Sequence, residues 1–208
     1  MFVTFEGIDG SGKSTQAQRL VERILNSGRE AILIREPGGT ELSERIRAIL
    51  LDPTLRIHPF PELLLFSSAR AQLVEERIRP ALAEGTIVVC DRFYDSTTAY
   101  QGAGRQVDAI EWVKEFNRHV TGGLTPDRTY LLSIEPEDAR RRRRARSEED
   151  DRMESADVRF HERVALAYDR LAEEEPSRIR RLDGHGSIEE LSDEIWSDFQ
   201  KLAIELRG

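Results

Sequence analysis

The chain has 208 residues, of which 34% are charged and 38% hydrophobic, and its net charge is -8. This size and composition are typical of one globular domain. The acidic balance argues against nucleic acid or an anionic membrane as a partner, because both attract a positive surface. The single cysteine, Cys90, excludes an intrachain disulfide and a cysteine metal cluster, which fits a cytoplasmic location. A phosphate site here would therefore be a local basic pocket on an acidic protein.

Short apolar runs alternate with longer amphipathic segments along the chain. In chain order, they predict a strand at Phe2–Phe5, a helix at Lys13–Asn26, a strand at Ala31–Ile34, a helix at Pro61–Ala83 and a strand at Thr86–Cys90. Then follow a helix after a capping box of Asp108 and Glu111, a strand at Thr129–Ile134, helices at Glu137–Arg146 and Glu154–Glu174, a strand at Arg178–Leu182 and a last helix after a capping box of Ser187 and Glu190. This alternation predicts an α/β protein with a five-stranded parallel sheet flanked by helices on both faces.

The segment between the first strand and the first helix has the spacing of a phosphate-binding loop. Gly7-Ile8-Asp9-Gly10-Ser11-Gly12-Lys13-Ser14 matches the pattern G-x-x-x-x-G-K-[ST]. Glycines let successive backbone amides point into one concavity, which the positive end of the following helix also faces. Lys13 can reach the β- and γ-phosphates of a nucleotide, and the Ser14 hydroxyl can bind Mg²⁺. The expected ATP-binding residues are Gly7, Ile8, Asp9, Gly10, Ser11, Gly12, Lys13, Ser14 and Thr15.

A nucleotide-binding loop does not reveal which reaction follows, and the end of the third strand narrows the choice. Asp91 ends an apolar strand, near the crevice where such sheets bind ligands, and could hold Mg²⁺ together with Ser14. Arg92 could neutralise the charge that develops on a transferred phosphoryl group. An Asp-Arg pair is weak evidence by itself in an arginine-rich chain, but beside the loop the functional interpretation is the better one. The chain has no T-K-x-D guanine-binding signature, which argues against a GTPase.

Several motifs in the right order resemble the thymidylate kinase family, and the likeness runs over nearly the whole chain. They are the phosphate-binding loop, Arg35-Glu36-Pro37-Gly38-Gly39-Thr40, Asp91-Arg92-Phe93-Tyr94-Asp95-Ser96-Thr97 and Tyr100-Gln101-Gly102. The resemblance implies a P-loop NTPase-type three-layer fold in one nucleoside-monophosphate-kinase-like domain, residues 1–208. It also implies phosphorylation of dTMP to dTDP with MgATP, in dTTP biosynthesis for DNA synthesis, by a homodimer.

The resemblance implies a pocket for the thymine base. Phe66 is expected to stack on the ring, and Arg70, four residues on and on the same helix face, to donate to the thymine O4 atom. Thr97 and Gln101 are expected at the N3 edge of the base. From the residues alone, core packing is the favoured explanation of Phe66, and Arg70 is explained by a solvated helix face or by a salt bridge with a nearby Glu.

The resemblance also implies contacts to the sugar and phosphate of the acceptor. Asp9 is expected to accept a hydrogen bond from the 3′-hydroxyl and to orient an arginine. Tyr100 is expected under the deoxyribose, where its ring would crowd a 2′-hydroxyl; otherwise it is a buried tyrosine with a satisfied hydroxyl. Arg92 and Arg35 are expected to contact phosphate. The remaining expected substrate-binding residues are Glu36 and Ser96.

A run of arginines, Arg140–Arg144 followed by Arg146, is either a solvated basic helix face or a phosphate clamp. Five consecutive helical positions point in all directions, so at most one or two of them can act on one ligand. Family members without a basic residue inside the phosphate-binding loop take their catalytic arginine from a mobile lid, here expected near residues 140–153. We expect Arg146 to be this residue, with Arg142, Arg144 and Arg152 as the other lid candidates. The expected catalytic residues are Lys13, Arg92, Arg146 and Asp9.

Two other functions compete with this interpretation. One is a kinase of the same fold that acts on another nucleotide or on a nucleoside, and the set of Phe66, Arg70, Tyr100 and Gln101 argues against it. The other is a nucleotide-binding regulatory protein that binds ATP without transferring phosphate. A substrate panel with an ADP-release assay distinguishes all three.

Overall fold

The computed structural model describes residues 1–145, 152–153 and 157–206. Its strands are β1 (Phe2–Glu6), β2 (Ala31–Arg35), β3 (Ile87–Asp91), β4 (Arg128–Ser133) and β5 (Ile179–Asp183). They form one sheet in the order β2-β3-β1-β4-β5, and every neighbouring pair is parallel. The predicted α/β fold with a five-stranded parallel sheet is confirmed.

Helices cover both faces of this sheet. They are α1 (Lys13–Asn26), α2 (Glu41–Leu51), α3 (Pro59–Leu73), α4 (Arg79–Ala83), α5 (Tyr94–Thr97), α6 (Ile110–Val120), α7 (Pro136–Ala145), α8 (Val158–Glu174) and α9 (Ile188–Glu205). Two π-helical segments, Val74–Ile78 and Thr98–Gly104, continue α3 and α5. None of the helices in the described part of the chain has both the length and the apolar character needed to cross a membrane.

The core lies on the two sides of β1, whose five residues are all buried. Val3 and Phe5 pack with residues of α1 and α9, and Phe2 packs on the opposite face with β3 and the end of α3. Alternate side chains of a strand face opposite sides, so a strand buried on both faces needs an unbroken apolar run. In the register of the sheet, Phe5 pairs with Asp91 of β3. The carboxyl ends of β1 and β3 therefore open at the same edge.

The structure differs from the sequence-based expectations at three places. Helix α2 was not predicted, although Thr40 caps it by accepting a hydrogen bond from the Ser43 amide at 3.1 Å. The predicted capping box of Asp108 does not form: Ala109 occupies the N-cap position of α6, and Asp108 Oδ1 accepts from the Ala109 amide instead. The predicted single helix Pro61–Ala83 begins at Pro59 and is interrupted before Pro80, where a missing N–H and a steric clash disturb the regular hydrogen bonds.

Two predicted helix ends fall near residues that are not described. Helix α7 is described to Ala145, and the predicted end at Arg146 lies outside the described residues. The predicted start of the next helix, Glu154, also lies outside the described residues; α8 is described from Val158, and the Asp157 side chain caps it by accepting from the Phe160 amide at 2.7 Å. The capping box of Ser187 and Glu190 at α9 is confirmed.

Candidate active site

The phosphate-binding loop connects β1 to α1 at the carboxyl edge of the sheet. Three of its glycines have positive φ angles: 139° at Gly7, 89° at Gly10 and 99° at Gly12. A Cβ atom at Gly7 would lie 2.5 Å from the Leu132 carbonyl oxygen, so no side chain fits there. The backbone of L-residues rarely adopts such angles, so glycines are required for the curled loop. The loop thus has the geometry that lets backbone amides and the start of α1 bind phosphate.

Lys13 and Asp9 face each other across this loop. Lys13 is buried, and its Nζ lies 3.3 Å from Asp9 Oδ1 and 3.5 Å from the Ile8 carbonyl oxygen. Asp9 also binds Arg92 Nη2 at 2.6 Å and accepts from the Tyr100 hydroxyl at 3.0 Å. Burial would raise the pKa of Asp9, but the charges of Arg92 and Lys13 outweigh it and hold the pKa well below its ordinary value. Asp9 is therefore an anion between two cations.

Arg92 follows β3 with an unusual backbone conformation. Its φ angle is 71°, which is rare for a residue with a side chain, and its amide donates to the Phe5 carbonyl oxygen at 2.9 Å. The guanidinium donates to Ser96 Oγ at 3.0 Å and to the Tyr168 hydroxyl at 3.2 Å, besides its bond to Asp9. Backbone strain of this kind persists only where surrounding contacts hold it, and it is frequent at functional sites.

The buried carboxylate of Glu6 positions Arg92 through two hydroxyl groups that lie between them. Glu6 Oε2 accepts from Ser96 Oγ at 2.6 Å and from the Tyr168 hydroxyl at 2.8 Å, and both hydroxyls contact Arg92. Burial, with the nearby charge of Asp95, raises the pKa of Glu6 from 4.5 to about 7, although Arg92 and hydrogen bonds oppose the shift. The orientation of the guanidinium is thus fixed by a network that begins in β1.

Beside the loop lies a pocket of about 100 Å³. Nine of the ten expected substrate-binding residues line it: Asp9, Glu36, Phe66, Arg70, Arg92, Ser96, Thr97, Tyr100 and Gln101. The pocket combines an aromatic wall with polar atoms of known orientation, as small-ligand sites do.

Arg70 is buried and is held in place by three hydrogen bonds. Its Nε binds Glu36 Oε2 at 2.7 Å, its Nη1 donates to Thr97 Oγ1 at 2.7 Å, and its Nη2 donates to the Phe93 carbonyl oxygen at 3.2 Å. Burial raises the pKa of Glu36 to about 7, and Arg70 opposes this shift. Because a guanidinium has five N–H bonds, Arg70 keeps donors for a ligand while it is fixed in place.

The two aromatic residues of the pocket also belong to the core. Phe66 is partly buried and packs against the hydrophobic clusters at α2 and α8. The Tyr100 ring packs edge-on to Phe160 with centroids 5.9 Å apart, while its hydroxyl binds Asp9. Core packing and a place in the pocket are therefore compatible for both residues.

Arg35 is the expected substrate residue that does not line the pocket. Its side chain is about half exposed, and its Nη2 binds Glu44 Oε2 at 3.1 Å. Conversely, Pro37, Arg47, Leu51 and Met153 line the pocket but were not predicted. Two of these four belong to α2, and Arg47 Nη1 donates to the Pro37 carbonyl oxygen at 3.0 Å. The capping signal at Thr40 could have revealed α2, and with it Arg47 and Leu51.

The two expected magnesium ligands lie at the same edge of the sheet. Ser14 is exposed in the first turn of α1, and Asp91 ends β3. Asp91 Oδ1 is buried and accepts no hydrogen bond from any residue that the structure describes. A buried carboxylate oxygen needs a partner, and an oxygen-ligated cation such as Mg²⁺ is a suitable one. The residues present therefore fit the metal.

Helix α7 covers the phosphate-binding loop. A Cβ atom at Gly10 would lie 2.6 Å from the Ala139 carbonyl oxygen, so this approach needs a glycine. Of the lid candidates, Arg142 is partly buried and Arg144 is exposed on α7, while Arg146 lies outside the described residues. Arg152 binds residues of α2 and α3: its Nε donates to the Leu50 carbonyl oxygen at 2.7 Å, and its Nη1 binds Glu62 at 2.5 Å. In this arrangement Arg152 anchors the chain after α7 to α2 and α3.

Comparison with known proteins gives a consistent result. A sequence model of the thymidylate kinase family matches residues 5–195. The thymidylate kinase of an Exiguobacterium species is 47% identical over 94% of this chain and 92% of its own length. That of Deinococcus radiodurans is 46% identical over 95% of each chain. The crystal structure of thymidylate kinase from Ehrlichia chaffeensis superposes with a TM-score of 0.79 at 32% identity, covering 96% of this chain and 98% of that one.

The matched region contains both the phosphate-binding loop and the pocket, and the fold agrees as well as the sequence. The chain therefore belongs to the thymidylate kinase family.

Proposed function

We propose that the pocket beside Phe66 binds the thymine base of dTMP and that the loop from Gly7 to Ser14 binds the triphosphate of ATP. As a member of its family, the chain phosphorylates dTMP in nucleotide biosynthesis, and ATP is the phosphate donor. The observation that carries the assignment of sites is the ion pair of Asp9 and Arg92, which joins the loop to the pocket.

The transfer needs little covalent chemistry from the protein. The acceptor is already a phosphate anion, so no general base is required, and positioning and charge stabilisation remain as the catalytic tasks. The loop amides, Lys13 and Arg92 would bind the oxygens of the transferred group as it moves in line from ATP to dTMP. Asp9 holds both cations in place and would accept a hydrogen bond from the 3′-hydroxyl of the acceptor.

Ser14 and Asp91 are the residues that would hold Mg²⁺ on the ATP side. The metal would neutralise charge on the β- and γ-phosphates. The buried Oδ1 of Asp91, which has no hydrogen-bond partner among the residues that the structure describes, supports this assignment.

Selectivity for the base would come from Phe66 and Arg70. The Phe66 ring offers a flat apolar face for stacking. Arg70 offers only donors, which suit the O4 atom of thymine and would face the amino group of cytosine unfavourably. Its bonds to Glu36 and Thr97 support a fixed orientation of these donors.

The lid would supply the remaining positive charge. Arg146 is the proposed catalytic arginine, because the phosphate-binding loop itself contains no arginine. Arg142 and Arg144 are the alternatives on α7. A lid closed over ATP would also exclude water, which otherwise competes with dTMP as acceptor.

We further propose a cytoplasmic homodimer of single-domain subunits without nucleic-acid or membrane partners. The net charge of -8 supports the absence of such partners. Phe60 and Trp112 support self-association: both are exposed, on α3 and α6, and their ring centroids lie 6.4 Å apart. An exposed aromatic patch of this kind is typical of an interface.

A coupled ADP-release assay with MgATP tests the proposal. dTMP should be the best acceptor in a panel with dUMP, dCMP, dGMP and shikimate. Preference for another acceptor would identify a different kinase of this fold. Binding of ATP without acceptor-dependent ADP release would indicate a regulatory protein.

A further inference from the structure

Glu62 on α3 is a fully buried carboxylate behind the pocket. Its Oε1 accepts from Gln101 Nε2 at 2.9 Å and from Arg105 Nε at 3.1 Å, and its Oε2 accepts from Arg152 Nη1 at 2.5 Å. A buried charge is costly unless it is paired, and the two guanidinium groups pair it. The amide of Gln101 is not needed for that neutralisation.

The bond to Glu62 determines which end of the Gln101 amide faces a ligand. A carboxylate can only accept hydrogen bonds, so the NH₂ group of Gln101 must point at Glu62. The carbonyl Oε1 is then the polar atom left for the pocket, which Gln101 lines. Without a partner that only accepts hydrogen bonds, the Gln101 amide could flip and present its NH₂ group to the pocket instead.

The orientation of the Gln101 amide determines which pyrimidine bases the pocket can bind. N3 of thymine carries a hydrogen and donates, whereas N3 of cytosine carries a lone pair and accepts. A carbonyl oxygen therefore attracts the first base and repels the second. Uracil has the same N3–H as thymine and differs from it by the methyl group.

We propose that Glu62 is a positioning residue that makes Gln101 present its carbonyl oxygen to the base, so that the pocket selects pyrimidines with a hydrogen on N3. The inference rests on the proposed binding of dTMP in this pocket. Arg152, at 2.5 Å, holds Glu62 in place even without Arg105, which lies farther away at 3.1 Å. Of these four residues, Gln101 is the one that would contact the base.

The test is the variant Glu62→Gln, with affinities for dTMP, dUMP and dCMP measured by titration calorimetry and by competition. The new side chain can accept or donate, so both orientations of the Gln101 amide become possible. The preference for dTMP over dCMP should fall about 10-fold or more, while the preference for dTMP over dUMP should change less than about twofold. The matched control is Arg105→Gln, which removes another partner of the same oxygen and should leave both preferences unchanged.

Four outcomes would contradict either the inference or the function on which it rests. An unchanged preference for dTMP over dCMP in folded Glu62→Gln overturns the inference, and so does an equal loss in Arg105→Gln. If Glu62→Gln does not fold, Glu62→Asp keeps the charge for the two long arginines but moves it away from Gln101, and it should show the same loss of selectivity; unchanged selectivity there also overturns the inference. Wild-type protein that neither binds nor phosphorylates dTMP would instead contradict the proposed function.

Discussion

Arg92 and Asp9 connect the substrate pocket to the phosphate-binding loop through a contact of 2.6 Å between Arg92 Nη2 and Asp9 Oδ1. Asp9 belongs to the phosphate-binding loop, and Arg92 lines the pocket. Both side chains are largely buried, with 15% and 25% of their surface exposed. Because solvent screens charge pairs of low exposure only weakly, this pair fixes the position of the pocket relative to the phosphate-binding loop.

The first prediction concerns the shape of the Arg92 side chain. Arg92→Lys keeps the charge but loses the fork that contacts Asp9, Ser96 and Tyr168 together. Its kcat for dTMP should fall about 10²- to 10³-fold, because a compact ammonium group cannot replace the guanidinium on a transferred phosphoryl group. Steady-state ADP release measures this. Arg79→Lys, at an exposed ion pair with Glu75, is the control, and equal kcat values for both variants would contradict the assignment.

The second prediction concerns the approach of α7 to the phosphate-binding loop. Gly10→Ala would place a Cβ 2.6 Å from the Ala139 carbonyl oxygen, so kcat/KM for ATP should fall about 10-fold or more. Gly28→Ala is the matched control: its φ of 80° is similar to the 89° of Gly10, but no atom lies within 4 Å of the added carbon. It should lose about 1 kcal/mol of stability and keep its activity. Normal ATP kinetics in Gly10→Ala would show that this contact is dispensable.

The third prediction concerns pH and Glu6. Because burial and Asp95 raise the pKa of Glu6 from 4.5 to about 7, the folded protein holds a proton that the unfolded chain releases between these values. The free energy of unfolding should therefore decrease as pH rises through this window, by up to about 1.4 kcal/mol per pH unit, and level off above it. Glu6→Gln removes this contribution while Glu36 stays in both proteins. Urea unfolding from pH 5 to 8 should show wild type losing stability relative to the variant; a difference independent of pH would refute the shift.

The fourth prediction separates two lid arginines. Arg146→Ala should lower kcat on the order of 10³-fold, as expected for loss of a charge that acts in the transition state. Arg152→Ala should mainly lower stability and raise KM for dTMP, because Arg152 binds Glu62 and the Leu50 carbonyl oxygen. Arg141→Ala, at an exposed ion pair on α7, is the control for the loss of a lid charge. A near-normal kcat in Arg146→Ala would remove Arg146 from the mechanism.

Features set by local sequence were predictable. The phosphate-binding loop depends on glycines at fixed offsets and on one lysine, and the strand before it depends on an unbroken apolar run. The pocket residues Phe66, Arg70 and Gln101 were found through the resemblance of the flanking motifs to a family. From chemistry alone, core packing was the favoured explanation of Phe66, and the structure places this residue both against the core and in the pocket.

Features that depend on distant contacts were not predictable. Glu62 lies 39 residues from Gln101 and 90 residues from Arg152 in the sequence, and no local sequence pattern predicts that these residues are in contact. The left-handed backbone of Arg92 results from its place between β3 and the Phe5 carbonyl oxygen, since its own side chain does not favour that angle. Helix α2, by contrast, has local signals that were overlooked: the capping Thr40 precedes it, and Leu42, Ile46 and Ile49 stand at helical spacing.

The central claim is that a triphosphate on the loop amides and a thymine base beside Phe66 meet at the pair of Asp9 and Arg92. A crystal structure with dTMP and a non-hydrolysable ATP analogue tests it most directly. We predict the thymine ring stacked on Phe66 with O4 on Arg70, and the triphosphate wrapped by the amides around Lys13. A thymine ring bound elsewhere, or phosphates that do not touch the loop, would contradict the account.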